Sequence, residues 1–302
     1  MKQGTKKIFW RVGQEITPET FIQADNYINY QHNLIRSLIH HQCYGLLPAG
    51  NDAATPSLTV KAHPEGATVY IENIRCLGIT KEGYLIDYDD NNKQQNSVSI
   101  AGLPPDFYYV VIRIKPFEQQ LIEPVENEET PFSQPACRFD VKKLAQITSD
   151  ELSILKVNCK KEYPEIEKNY IPPCMSILSC KILLDYYKNC IPVVQDIKSF
   201  LYAKKQQYHS AIYPVSMLLY ELENLPLSES PYALVQLLKR LLKSFTLLVC
   251  DTPLKIEKTL ATPYNHDDVE EILQSLMLCL QEIREFVASE KVDEEEDFTP
   301  RI

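Results

Sequence analysis

Tyr170-Ile171-Pro172-Pro173-Cys174-Met175-Ser176-Ile177 divides this chain into two kinds of sequence. Adjacent prolines hold the backbone extended and disfavour helix in the residue before them, so the run ends whatever precedes it. Upstream lie short segments rich in β-branched and aromatic residues: Leu58-Thr59-Val60-Lys61-Ala62, Thr68-Val69-Tyr70-Ile71, Tyr84-Leu85-Ile86-Asp87-Tyr88, Val98-Ser99-Ile100 and Tyr108-Tyr109-Val110-Val111-Ile112-Arg113-Ile114. Each reads as a strand, and Asp89-Asp90-Asn91-Asn92 reads as a hairpin turn between two of them. Residues 123–135 are acidic and contain proline, which predicts an exposed loop. Cys137-Arg138-Phe139-Asp140-Val141 and Leu152-Ser153-Ile154-Leu155-Lys156-Val157 add two more strands, although the second also fits a helix. Short strands without crossover helices between them favour an antiparallel sandwich over a parallel sheet.

Downstream of the prolines the period becomes helical. One pattern spans about 176–207 and is interrupted by Pro192, which removes a helical hydrogen bond and predicts a kink. A second helix runs from Ser210 or Pro214 to Glu223. A third opens at Ser230-Pro231 with Leu234, Leu237, Leu238, Leu241, Leu242, Phe245 and Leu248 on one face. The fourth covers about 265–288, with Val269, Ile272, Leu276, Cys279, Leu280, Ile283 and Val287 as its seam. Amphipathic helices joined by mostly short connections predict an antiparallel four-helix bundle. The expected fold is therefore α+β: a β-sandwich shell with one N-terminal helix over 1–173, a four-helix bundle over 174–289, and an acidic, disordered tail over 290–302.

The N-terminal helix follows the only Trp, in Phe9-Trp10-Arg11-Val12-Gly13-Gln14-Glu15-Ile16-Thr17-Pro18-Glu19-Thr20-Phe21-Ile22-Gln23-Ala24-Asp25. Thr17 is placed to cap and Pro18 to take the first helical position. Phe21, Ala24, Ile28, Ile35 and Leu38 then fall on a heptad frame, widened by Tyr27 and Leu34, which predicts one helix over about 18–41.

The chain's 302 residues suffice for two domains with separate cores. Its 44% hydrophobic and 24% charged residues are those of a globular protein, and only 8 Gly argue against a glycine-dependent nucleotide fold. A formal charge of −10 disfavours a nucleic-acid partner, which requires a basic face. Residues 290–297 hold six acids against Lys291, the pattern of a solvated tail. Nine scattered cysteines suit a reducing compartment. With no continuous apolar run that would serve as a signal or a membrane span, a soluble, cytoplasmic protein is expected.

Little here points to chemistry. His32, His40, His41 and Cys43 lack a second ligand pair at zinc spacing and read as surface or helix-end residues. Cys174, Cys180 and Cys190 scatter around a helix and read as core or boundary cysteines. With no nucleophile elbow, phosphate loop or His-Glu-x-x-His pattern, neither enzyme activity nor a metal or cofactor is expected. The 18 tyrosines are more informative, since Tyr buries apolar area while keeping a hydroxyl for a wet rim, although packing of the β region uses the same property.

The order Trp10, Gly13, Pro18, Phe21, Gln23, Asp25, then a helix, then Tyr44-Gly45-Leu46, resembles the opening of the TssK family, baseplate subunits of bacterial type VI secretion systems. Arg11-Val12 and Glu19-Thr20 depart from that family's usual wording. Tyr170-Ile171-Pro172-Pro173 is similar to the family's Phe-Ile-Pro-Pro junction, and Ser230-Pro231-Tyr232 to its third neck-helix start, so the resemblance covers about 1–290. It implies a receptor-binding-shoulder-like shell, a four-helix neck and a homotrimer. The near-heptad register of the third and fourth helices serves a trimer core or an intrachain bundle equally well.

The resemblance further implies that the shell binds the wedge proteins TssF and TssG, with Trp10, Pro18, Phe21, Gln23 and Asp25 as candidate interface residues and Tyr170, Pro172 and Pro173 as the domain junction. The family's C-terminal head is not expected after the fourth helix, and the envelope partner is left open. The expected location is the cytoplasm, at the inner face of the envelope. Two rival readings are a receptor-binding or baseplate protein of a phage-like particle and a cytosolic enzyme with a helical appendage.

Overall fold

The computed structural model describes residues 6–39, 44–48, 57–89, 96–122, 132–160, 163–249 and 256–297. The chain divides into two compact units, Met1–Met175 and Ser176–Ile302. Their architecture is α+β, with two antiparallel sheets in the first unit and a set of helices in the second.

The first unit opens with α1 (Pro18–Ile39), which starts at the proline expected for it. The first sheet is built around β3 (Thr68–Ile79), which pairs with β1 (Gly45–Leu46), β2 (Leu58–Glu65), β4 (Leu85–Asp89) and β5 (Asn96–Ser99). β2 alternates half-buried and exposed residues throughout, the period of a strand with one face covered. Glu65 and Thr68 face each other across a tight turn in which Gly66 takes φ +57°. β4 and β5 do not form the hairpin expected around Asp89-Asp90-Asn91-Asn92. β4 pairs with Arg75 to Ile79 and β5 with Thr68 to Ile71, so the two follow one another along a single long strand. Residues 90–95 lie outside the described set.

The second sheet has the order β7 (Phe132–Lys142), β6 (Phe107–Ile122), β8 (Glu151–Asn158), β9 (Glu165–Ile166). β8 is a strand, and all but one of its residues are buried. Its one buried carboxylate, Glu151, is satisfied by the Lys142 ammonium and by the Thr148 backbone N–H at 2.8 Å. That pairing removes most of the penalty for burying a charge. Of the loop expected over 123–135, residues 132–135 belong instead to β7, and 123–131 lie outside the described set. Pro135 is tolerated there because β7 is an edge strand, where a missing N–H need not cost a ladder bond.

The second unit contains α2 (Lys181–Ala203), α3 (His209–Glu223), α4 (Pro231–Leu248), α5 (Glu257–Ala261) and α6 (Val269–Asp297). α2 packs against α3 and α6, and α4 against the same two. The buried faces are Leu183, Val194, Ile197 and Leu201 on α2 and, as read from the sequence, Leu234, Leu238, Leu241 and Phe245 on α4 and Leu276, Leu280 and Ile283 on α6. Phe286 stands edge-on to both Phe200 and Phe245, with ring centroids 6.1 Å away in each case.

Helix ends differ from the expected ones for local reasons. Residues 177–179 form a separate turn, in which the Ser176 and Ser179 hydroxyls are 3.0 Å apart, and α2 begins only at Lys181. α2 continues through Pro192, which lies on its exposed side. α4 is capped by Ser230, whose Oγ accepts from the Ala233 N–H. α5 went unforeseen. Lys239 donates to the carbonyls of Leu260 and Thr262 at its end, and burial pushes that ammonium's pKa down. α6 starts after a turn in which the Asp267 N–H donates to Asn265 Oδ1 at 3.1 Å, and its backbone stays helical to Asp297. No helix among the described residues is long and apolar enough to cross a membrane.

Candidate partner-binding surface

An extended arm and α1 precede the sheets, and none of residues 6–32, 34 and 35 is buried. The arm turns at Arg11-Val12-Gly13-Gln14: the Gln14 N–H donates to the Arg11 carbonyl at 3.1 Å and Gly13 takes φ +80°. A turn of this kind needs positive φ at its third position, which explains a Gly there. At the helix entrance the Thr17 N–H donates to Thr20 Oγ1 at 3.3 Å, and the Thr20 N–H donates to the Thr17 carbonyl at 3.0 Å. A hydrogen bond with the Thr17 side chain holds the Glu19 carboxyl below its ordinary pKa.

On this frame large apolar side chains point to solvent. Phe9 is 76% exposed, Trp10 50% and Phe21 58%; Val12, Ile16, Ile28 and Ile35 are exposed as well. The Arg11 guanidinium lies 5.5 Å from the Phe9 ring centroid. α1 has no extensive contact with another named element. An amphipathic helix of a globular domain ordinarily turns such a stripe inward.

The five residues selected from the sequence all lie on this exposed segment. They do not share one face, however. At about 100° per residue, Phe21 and Asp25 lie on one side of α1 with Ile28 and Ile35, while Gln23 lies nearly opposite. Sequence reasoning missed Phe9, Val12, Ile16, Ile28 and Ile35 as surface residues. The heptad frame holds two of them, but periodicity does not say what covers a stripe.

The residues of the Pro-Pro run are placed quite differently. Residues 170–175 are all buried. Tyr170 donates its hydroxyl to Ser153 Oγ at 2.8 Å and stands edge-on to Tyr109. The Pro172 carbonyl accepts from Cys174 Sγ at 3.1 Å. The Pro173 carbonyl accepts from the Leu46 N–H at 2.7 Å, and the Met175 N–H returns a bond to the Leu46 carbonyl at 2.9 Å. Gly45 sits beside this strap with φ +117°, and a Cβ there would come within 2.5 Å of the Pro173 carbonyl carbon. The segment Tyr44-Gly45-Leu46 and the Pro-Pro run, distant in sequence, are therefore one hydrogen-bonded unit.

Elsewhere, α3 turns Tyr213, Met217 and Tyr220 outward. A groove of about 480 Å³ between α3 and α4 is lined by Tyr220, Leu225, Pro226, Ala233 and Leu237, beside the Glu221–Arg240 ion pair at 2.8 Å. A second, of about 370 Å³, is lined by charges already paired with one another, Arg113 with Asp150 at 2.7 Å and Lys115 with Glu118 at 2.6 Å. Burial pushes the Cys137 and Cys190 thiols up to about 12, so both are protonated and weakly nucleophilic. Among the described residues no group of His, Cys, Asp and Glu is arranged to hold a metal ion; His40, His41 and Cys43 lie outside them.

The fold has counterparts among solved structures. A crystal structure of TssK matches 92% of the chain and 69% of its own, with TM-score 0.63 and 14% identity. The chain has the fold of TssK. The cryo-electron-microscopy structure of the type VI secretion TssK-TssF-TssG baseplate subcomplex matches 94% of the chain and 99% of its own, with TM-score 0.64 and 13% identity. The baseplate complex from the type VI secretion system matches 93% and 100%, with TM-score 0.62 and 12% identity. No protein-family model matches the chain. No curated protein matches it in sequence either. At 12 to 14% identity the TssK likeness is carried by the order and pairing of elements rather than by residue identity.

Proposed function

We propose that this chain is a structural baseplate component of a type VI secretion system, a TssK-like subunit that binds wedge proteins of the TssF and TssG kind. One observation carries the reading: a chain that shares the TssK fold over nearly its whole length exposes large apolar side chains on its arm and α1 that no described residue buries. Exposed apolar surface of this extent marks an interaction site on a folded protein. In this reading the two sheets act as a β-sandwich shell and Trp10 and Phe21 anchor the wedge contact. α2, α3, α4 and α6 act as the four-helix neck. The subunit works as a homotrimer on the cytoplasmic side of the envelope, without catalysis or a cofactor.

Co-purification tests it. The full chain, co-expressed with the TssF and TssG proteins of the same organism, should be recovered with them. Trp10→Ala with Phe21→Ala should reduce recovery roughly tenfold or more, the effect of losing two aromatic anchors. The helical circular-dichroism signal should stay at the wild-type level, because both side chains are exposed. Undiminished recovery would remove the arm from the interface.

A further inference from the structure

Phe21, Ile28 and Ile35 succeed one another at intervals of seven along α1 and are 58%, 50% and 54% exposed. Seven residues make slightly less than two full turns, so the three form a stripe one residue wide that drifts about 20° per repeat. Over about 21 Å such a stripe is followed closely by another helix lying at a shallow angle. Between the three lie Ala24 and Gln31, both half-buried, at the alternate seam positions. Asp25 and His32 flank the stripe on one side, also seven apart and both exposed.

We propose that this stripe is the seam for one amphipathic α-helix of the wedge partner, with its own 3.5-residue apolar repeat and a basic residue facing Asp25. The inference rests on the function proposed above and adds the mode of recognition. Complementarity favours a different helix as the occupant. A second copy of α1 packed parallel and in register would set Ala24 on Ala24 and Gln31 on Gln31, leaving alternate layers hollow or polar. A different helix supplies a large side chain over Ala24 and an amide or hydroxyl partner for Gln31. Asp25 makes no ion pair among the described residues, and a cation opposite it adds attraction at the rim.

The test places a photo-crosslinking amino acid singly at each of positions 27 to 35 in the full chain, co-expressed with TssF and TssG. Yield to one wedge protein should peak at 28 and 35, with a lesser maximum at 31 or 32, and fall to background at 30. A period of two, a uniform yield or crosslinks to a second copy would overturn the helix seam. In parallel, Ile28→Asp with Ile35→Asp should weaken recovery of the wedge at least tenfold, while Tyr30→Asp, on the opposite face, leaves it within twofold. If the double variant retains the wedge, the seam falls and the function stands. If the wild-type chain recovers no wedge protein, both fall together.

Discussion

Gly45 is tightly enclosed. Its φ of +117° strains any L side chain, and an added Cβ would meet the Pro173 backbone at 2.5 Å, where no flexible group can yield. Gly45→Ala should therefore cost roughly 3 kcal/mol or more, combining strain with a broken strap. Gly66→Ala should cost only about 1 kcal/mol, since φ is positive but the space around it is open. Urea denaturation of the two variants compares them directly, and equal losses would mean that the strap is not a constraint.

The same scale sets the pH response. Hydrogen bonding from Lys143 holds the Asp106 carboxyl below its ordinary value, and that from Lys115 does the same for Glu118. Burial pushes Asp150 up, but its hydrogen bonds with Thr148 and Arg113 outweigh that and bring it below as well. A folded pKa below the unfolded one means stabilisation that is present above the ordinary carboxylate range and lost as pH falls through the folded values. The urea midpoint should be nearly flat between about pH 7 and 5 and fall below about pH 4. Asp150→Asn should flatten that fall.

Individual elements were legible to different degrees, each for an identifiable reason. The alternation of β2 reflects one-sided burial and is carried by the sequence, whereas the two-sided burial of β8 was not legible, because Glu151, Ser153 and Lys156 interrupt its apolar residues. The pairing of β4 and β5 was not legible, because two adjacent strands look the same whether they pair with each other or both with a long third strand. The start of β7 was masked by prolines that only its edge position makes acceptable. Helix starts read well where a cap exists. Ser230→Ala should cost about 1 kcal/mol, measured as a lower midpoint for loss of helical signal. No loss would mean that Pro231 alone sets the start. The arm residues Trp10 and Phe21 were found through a family pattern, whereas Ile28 and Ile35 were hidden in plain periodicity, because a stripe meeting a partner and a stripe meeting the core have the same spacing.

At the scale of the molecule, the described residues expose large apolar side chains on the arm with α1 in the first unit and on the outward face of α3 in the second. If the α3 face serves association between copies, Tyr213→Ser with Met217→Ser should convert a trimer into monomers at micromolar concentration, at little cost to the fold. Light scattering reads that directly, and an unchanged mass would place the contact between copies elsewhere. Light scattering on the wild-type chain mixed with a purified TssF–TssG wedge complex decides the central claim. We expect one species whose mass exceeds that of either component alone. Separate elution of the two at their individual masses would contradict the assignment of this chain to the baseplate.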